Sequence, residues 1–192
     1  KWAPPPEANF VTARVIADTG GAFVHSMIVG AGVQDGVKKG LVVMTGDGLA
    51  GRIATVGNRS SRLLLLTDLN SRIPVIVERT RTRAILAGDN TDRLRLIYLS
   101  DGGAVTAGDR IVTSGHGGVF PPGLPIGIVT SVAESGVLVK PFVEQARLEF
   151  VRVVDFGLEG ILEGSPPPRI EPASRRRAAR KEAAKPDEGT SR

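Results

Sequence analysis

The chain has 192 residues, 41% hydrophobic but only 4% aromatic, and a formal net charge of +5 at pH 7. It has no cysteine, which excludes disulfides and thiolate metal sites. It also lacks any apolar run of about 18 residues, so no segment reads as a membrane-spanning helix, and the length suits one ordinary domain or two small ones.

The first nine residues, "KWAPPPEAN", are proline-rich and aperiodic, and read as a stiff tether. From residue 10 the pattern changes to short β-type runs divided by turn signals. In chain order these are "FVTARVIAD", "AFVHSMIVG", "LVVMT", "LAGRIATVG", "RLLLLT", "RIPVIVE", "RAILAG", "RLRLIYL", "DRIVTSG", "IGIVTSVA", "GVLVKPFV" and "ARLEFVRVVD". Period two is visible within them. Leu94, Leu96 and Tyr98 alternate with Arg93 and Arg95, and Ile73, Val75 and Val77 share a face. Pro74 has no N–H to donate, which predicts an edge position or a bulge for its strand. No window between Asn9 and Gly157 sustains a helical period, so the body reads as all-β. Residues 158–192, rich in Pro, Arg and Ala, have no apolar period and read as a disordered tail.

A weak internal repeat runs through the body. "VKKGLVVMTG" (Val37–Gly46) matches "VTAGDRIVTSG" (Val105–Gly115), and "GRIATV" (Gly51–Val56) matches "GIVTSV" (Gly127–Val132). The repeat predicts two related small β-barrels side by side, over residues 10–92 and 93–157. The strand over residues 10–18 belongs to the first or pairs with the second.

The stretch "TSGHGGVFPPGLPIGIV" concentrates the residues that carry chemistry. A serine-hydrolase triad needs a histidine bonded to the nucleophile and oriented by a buried carboxylate. Only His25 and His116 are available, and Ser114 lies in no nucleophile-elbow setting. Two isolated histidines and single turn aspartates make no metal-ligand cluster. "SGHGG" has the glycine density of an anion nest, but Pro121, Pro122 and Pro125 each remove a backbone donor and no helix follows. The structural reading is a stiff hairpin arm. Gly115, Gly117, Gly118, Gly123 and Gly127 permit tight reversals, and Pro121, Pro122 and Pro125 hold the remainder extended. Phe120 is the anchor of the arm in the core or else its tip.

Arg72, Arg79, Arg81, Arg83, Arg93 and Arg95 cluster in sequence. Such a run marks either an anionic-surface or nucleic-acid binder, or a charged β surface that resists unwanted pairing. The basic excess is small and spread out. Residues 1–157 hold 17 Lys/Arg against 14 Asp/Glu, and residues 158–192 hold 8 against 6. Aromatic stacking platforms are missing, which disfavours nucleic acid.

The "TSGHGGVFPPGLPIG" stretch, with "GVKKGLVVMTGDGLAGRIATVG", "SRLLLLTDLNSRIPV" and "LEFVRVVDF", resembles the MreC family of rod shape-determining proteins. The resemblance covers about residues 10–156. It implies a non-catalytic periplasmic scaffold of the cell-elongation machinery, built from two small barrels and needing no cofactor or metal. A membrane helix and coiled coil precede these barrels in the family and are not part of this sequence. Implied partners are the elongation penicillin-binding protein, RodA, MreD and, indirectly, MreB, together with self-association to a dimer or filament. Arg72, Ile73 and Val75, on what reads as an exposed edge of the first barrel, are the expected partner contacts.

Overall fold

The computed structural model describes residues 8–19, 24–100, 104–134 and 136–158. The tether assigned to residues 1–9, apart from Ala8 and Asn9, and the tail assigned to residues 158–192, apart from Leu158, lie outside them, and Asn9 is corrected to the first residue of a strand. The described residues form twelve strands, within a residue or a few of the sequence runs: β1 (Asn9–Asp18), β2 (Ser26–Val29), β3 (Val42–Met44), β4 (Leu49–Val56), β5 (Ser61–Leu65), β6 (Arg72–Val77), β7 (Arg83–Gly88), β8 (Leu94–Ile97), β9 (Arg110–Thr113), β10 (Pro125–Ala133), β11 (Gly136–Pro141) and β12 (Phe150–Asp155). They close into two six-stranded antiparallel barrels, one ordered β1-β12-β3-β4-β5-β2 and the other β10-β11-β8-β7-β6-β9.

The division at residues 92 and 93 is corrected by this pairing. β6, β7 and β8 belong to the second barrel, which begins at Arg72, and β12 returns to close the first. β1 pairs with β12 and β2, so it too belongs to the first barrel. Barrel closure decides the matter. Val151 and Val153 of β12 pack with Ala13, Met27, Val43, Ile53 and Leu63, whereas Ile73, Val75 and Val77 of β6 pack with Leu86, Leu94, Ile111 and Ile126. Each of these Val, Leu, Ile and Met side chains, fully buried, contributes about 1.5–3 kcal/mol.

The two barrels share detailed register. β3–β4 shifts between Val43 and Met44, and β9–β10 shifts between Pro125 and Gly127, the equivalent place. β4 bulges against β5 between Ile53 and Thr55, and β10 bulges against β11 between Val129 and Ser131. Gly40 N–H bonds Ile53 O at 2.9 Å, and Gly108 N–H bonds Val129 O at 2.8 Å. A Cβ at Gly51 would lie 2.0 Å from Leu64 O and one at Gly127 2.3 Å from Lys140 O, so both strands approach too closely for any side chain. Aligned this way, β1–β6 and β7–β12 are two copies of one six-strand unit that have traded their last strands. β12 fills the place in the first barrel that β6 fills in the second.

The barrels meet along an apolar seam. Val42, Met44 and Leu49 of the first barrel, with Leu66 of the connection, pack into the second barrel's cluster. β6 is paired on both sides, by β7 and by β9, and has no exposed edge. Pro74 is tolerated because its carbonyl, accepting Ser114 N–H at 3.0 Å, faces the end of the β9 ladder. The missing N–H points the same way, where β9 has already given way to a loop.

Candidate functional site

The loop over residues 114–123 joins β9 to β10 and is stapled by Thr113, which is fully buried. The Thr113 hydroxyl donates to Pro121 O at 2.6 Å and accepts Leu124 N–H at 2.8 Å. Main-chain bonds from Thr113 N–H to Leu124 O and from Gly123 N–H to Thr113 O complete the neck. Phe120 is only 5% exposed and sits in the second barrel's core. Gly115, Gly117, Gly118 and Gly123 all have positive φ, whereas Gly127 lies in β10 and serves the close strand approach described above. At Gly115 (φ +80°) a Cβ would also press on Pro122 at 3.1 Å, so conformation and space both require glycine. Pro125 opens β10, and its carbonyl packs against Gly48 in the first barrel's β3–β4 turn.

Ser114 and His116 do not form a nucleophile–base pair. Ser114 Oγ accepts the backbone N–H of His116 at 3.2 Å, and the imidazole is bonded to no group among the described residues. His25 is held by its main chain: its N–H donates to Asp68 Oδ2 at 2.7 Å, and its Nδ1 stands 3.5 Å from Thr67 Oγ1. No cluster of three His, Cys, Asp or Glu side chains suited to a metal occurs among the described residues.

His25 belongs to a polar knot that sequence reading missed. Thr67 and Asp68, in the passage from β5 to β6, are fully buried. Asp68 Oδ1 accepts Asn70 N–H at 2.7 Å, Thr67 O accepts Asn90 N–H at 2.9 Å, and the amide of Gln145 donates to Thr67 Oγ1. Gln145 lies on the return passage from β11 to β12, so the outgoing and returning chain are bonded to each other. A turn signal, "TDLNS", is visible in the sequence, but its partners lie 21 to 78 residues away.

The expected partner contacts separate. Arg72 is exposed, but Ile73 (3% exposed) and Val75 (0%) point into the second barrel and are corrected to core residues. Arg72 also belongs to the second barrel, not the first. The arginine run divides between the two ends of β6 and is partly neutralised. Arg79 bonds Asp109 at 2.7 Å, and Arg95 approaches Asp89 at 3.6 Å. Asp109 is nearly buried and also accepts Thr106 N–H at 2.8 Å. The Arg79 hydrogen bonds, helped by Thr106 and opposed by burial, lower its pKa to about 2.

Exposed apolar side chains are scattered over both barrels, with Tyr98 and Val132 on the second, but one group shares the outer wall of the first. Phe10, Ile16 and Phe150 are 49%, 58% and 59% exposed on β1 and β12, with Phe150 directly opposite Arg14. Arg152 stacks over the Phe10 ring at 5.5 Å. The outward phase of "NFVTARVI" was the available signal, since Phe10 falls in register with Thr12 and Arg14.

The family profile described as "Rod shape-determining protein MreC, barrel core" matches residues 15–155, spanning both barrels. The cell shape-determining protein MreC of Cereibacter sphaeroides is 44% identical over 149 residues, covering 78% of this chain and 50% of that protein. The chain thus spans half the length of that relative. The crystal structure of MreC from Pseudomonas aeruginosa superposes with a TM-score of 0.72 at 32% identity, covering 77% of this chain and 99% of that one. MreC in a complex with penicillin-binding protein PBP2 from Helicobacter pylori shares the fold at 14% identity, with a TM-score of 0.59 over 78% of this chain and 99% of that one. The barrel-core match across both interlocked barrels shows that the chain belongs to the MreC family of rod shape-determining proteins.

Proposed function

We propose that this chain is the periplasmic barrel region of a non-catalytic scaffold, held at the inner membrane by a helix outside this sequence. It binds and positions the elongation transpeptidase. RodA, MreD and MreB are further members of the same assembly, and the chain self-associates. The observation that carries this reading is a pair of closed barrels, shared in fold with an MreC that is complexed with PBP2, with two exposed phenylalanines, Phe10 and Phe150, on the β1–β12 wall of the first. Closed barrels offer no free strand for pairing, so contact is made by side chains on a preformed surface. Phe10 and Phe150, flanked by Arg14 and Arg152, have the aromatic and arginine composition of interface anchors. Binding that favours the synthase's active conformation would activate it through differential affinity for that state.

Interferometry between the full-length protein and the transpeptidase ectodomain of the same organism tests this. Binding weakened about tenfold or more by Phe10→Ala/Phe150→Ala, with the melting temperature retained, is expected. Absence of binding by the full-length protein would count against the scaffold reading.

A further inference from the structure

A hollow of about 220 Å³ opens between the barrels beside the loop over residues 114–123. Its apolar surface comes from Leu64 of the first barrel and from Pro74 and Val119 of the second, and Arg52, Arg72 and His116 stand around it. We propose that this hollow is a docking slot for a partner segment that presents a carboxylate beside an apolar side chain. The proposal rests on the reading of the chain as a partner-binding scaffold, and supplies the chemistry of one recognised segment.

Four observations carry it. First, no Asp or Glu lines the hollow, so its charge is uniformly basic. Second, the arginines and the histidine here have no acidic partner among the described residues. Arg52 and the His116 imidazole bond nothing there, and Arg72 donates only to the backbone carbonyls of Leu69 and Ser71, at 2.8 and 2.7 Å. Third, the N–H groups of Gly117 and Val119 at the same site carry no hydrogen bond among the described residues, leaving main-chain donors beside the arginines. Fourth, the loop is pre-organised by the Thr113 neck and the buried Phe120, so binding costs little ordering. Size selects the occupant. A walled hollow of this volume admits one or two side chains and neither a bilayer surface nor a duplex. The apolar lining adds contact that a free phosphate cannot use.

The test is fluorescence anisotropy on the full 192-residue chain with a labelled peptide of alternating leucine and aspartate, its asparagine counterpart, and inorganic phosphate as competitor. The aspartate peptide is expected to bind about tenfold tighter than the asparagine peptide. Arg52→Gln/Arg72→Gln erases that preference, both residues being exposed and outside the cores. His116→Ala is the second variant and weakens the aspartate peptide about threefold. Equal binding of the two peptides, or a preference untouched by either variant, would overturn the proposal. So would displacement by phosphate at the peptide's own concentration, which marks a small-anion site only. The Phe10 and Phe150 substitutions leave this peptide assay unchanged, so failure here and failure of the transpeptidase interaction are read separately.

Discussion

The backbone N–H of His25 donates to the carboxylate of Asp68 at 2.7 Å, tying the approach to β2 to the segment that leaves the first barrel for the second. The same carboxylate caps Asn70 N–H at 2.7 Å, and its neighbour Thr67 receives Gln145 from the returning chain. This knot stands where the chain crosses between barrels in both directions. Asp68→Ala removes the acceptor from two main-chain donors and is expected to cost about 2 kcal/mol or more. Urea unfolding of wild type and variant measures it, and Asp68→Asn, which keeps one acceptor oxygen, should lose less. Equal stabilities would show that the knot is incidental.

The traded strands make a second prediction. Leu65 to Pro74 and Pro141 to Phe150 span the same nine positions between equivalent ladder residues. Val75 and Val77 of β6 point inward where Val151 and Val153 of β12 do. A fragment of residues 8–81 is therefore expected to close its barrel with β6 in the place of β12. Size-exclusion chromatography and a cooperative thermal melt check it, and a fragment that stays unfolded or melts without cooperativity counts against interchangeable sixth strands.

That interchangeability also explains what the sequence hid. The strands were legible because period-two runs such as "RLRLIYL" alternate between core and solvent, and turn residues bound them. The pairing was not, because β6 and β12 carry the same inward valines and the same crossover length, so local pattern cannot say which groove each fills. Ile73 and Val75 were misread for a related reason. Pro74 suggested an edge, whereas its nitrogen faces the place where β9 ends. In the loop, side-chain size and backbone conformation are local properties, and the structure buries Phe120 and gives Gly115 a positive φ. The knot around Asp68 joins residues 43 apart and has no local signature beyond a turn.

Thr113 supplies a third prediction. Its hydroxyl bonds both sides of the loop neck, to Pro121 O and from Leu124 N–H. Thr113→Val keeps the volume but leaves a buried donor and acceptor unmatched, at an expected cost of about 1–3 kcal/mol. Amide hydrogen exchange should quicken at Leu124 and Gly123 and stay slow in the first barrel. Unchanged exchange at Leu124 would mean that the neck is held by its main-chain bonds alone.

Backbone conformation gives a fourth. Gly118 has φ +65°, a region that a β-branched residue occupies only at high cost. Gly118→Val is expected to lower the melting temperature or prevent folding. His116→Ala, at an exposed position outside both cores, should leave the melting temperature within about 2 °C. A Gly118→Val protein as stable as wild type would show that the loop can rearrange without disturbing the barrel.

Stability should fall in acid through Asp109. Its carboxylate is nearly buried and receives two bonds from Arg79, at 2.7 and 2.9 Å, and one from Thr106 N–H at 2.8 Å. These favour the ionised form and bring its pKa to about 2, below the roughly 3.9 of an unfolded aspartate. Because the folded value is the lower one, the stabilising contribution is fully present above about pH 5 and declines as pH falls through 4 toward 2. Thermal melts of wild type and Asp109→Asn across that range isolate the effect. The variant should be less stable at pH 7, and the gap should narrow steadily below pH 5 as the wild-type carboxylate loses its advantage. A gap that stays constant down to pH 2 would show that packing of the side chain, not its charge, is what Asp109 contributes to the second barrel.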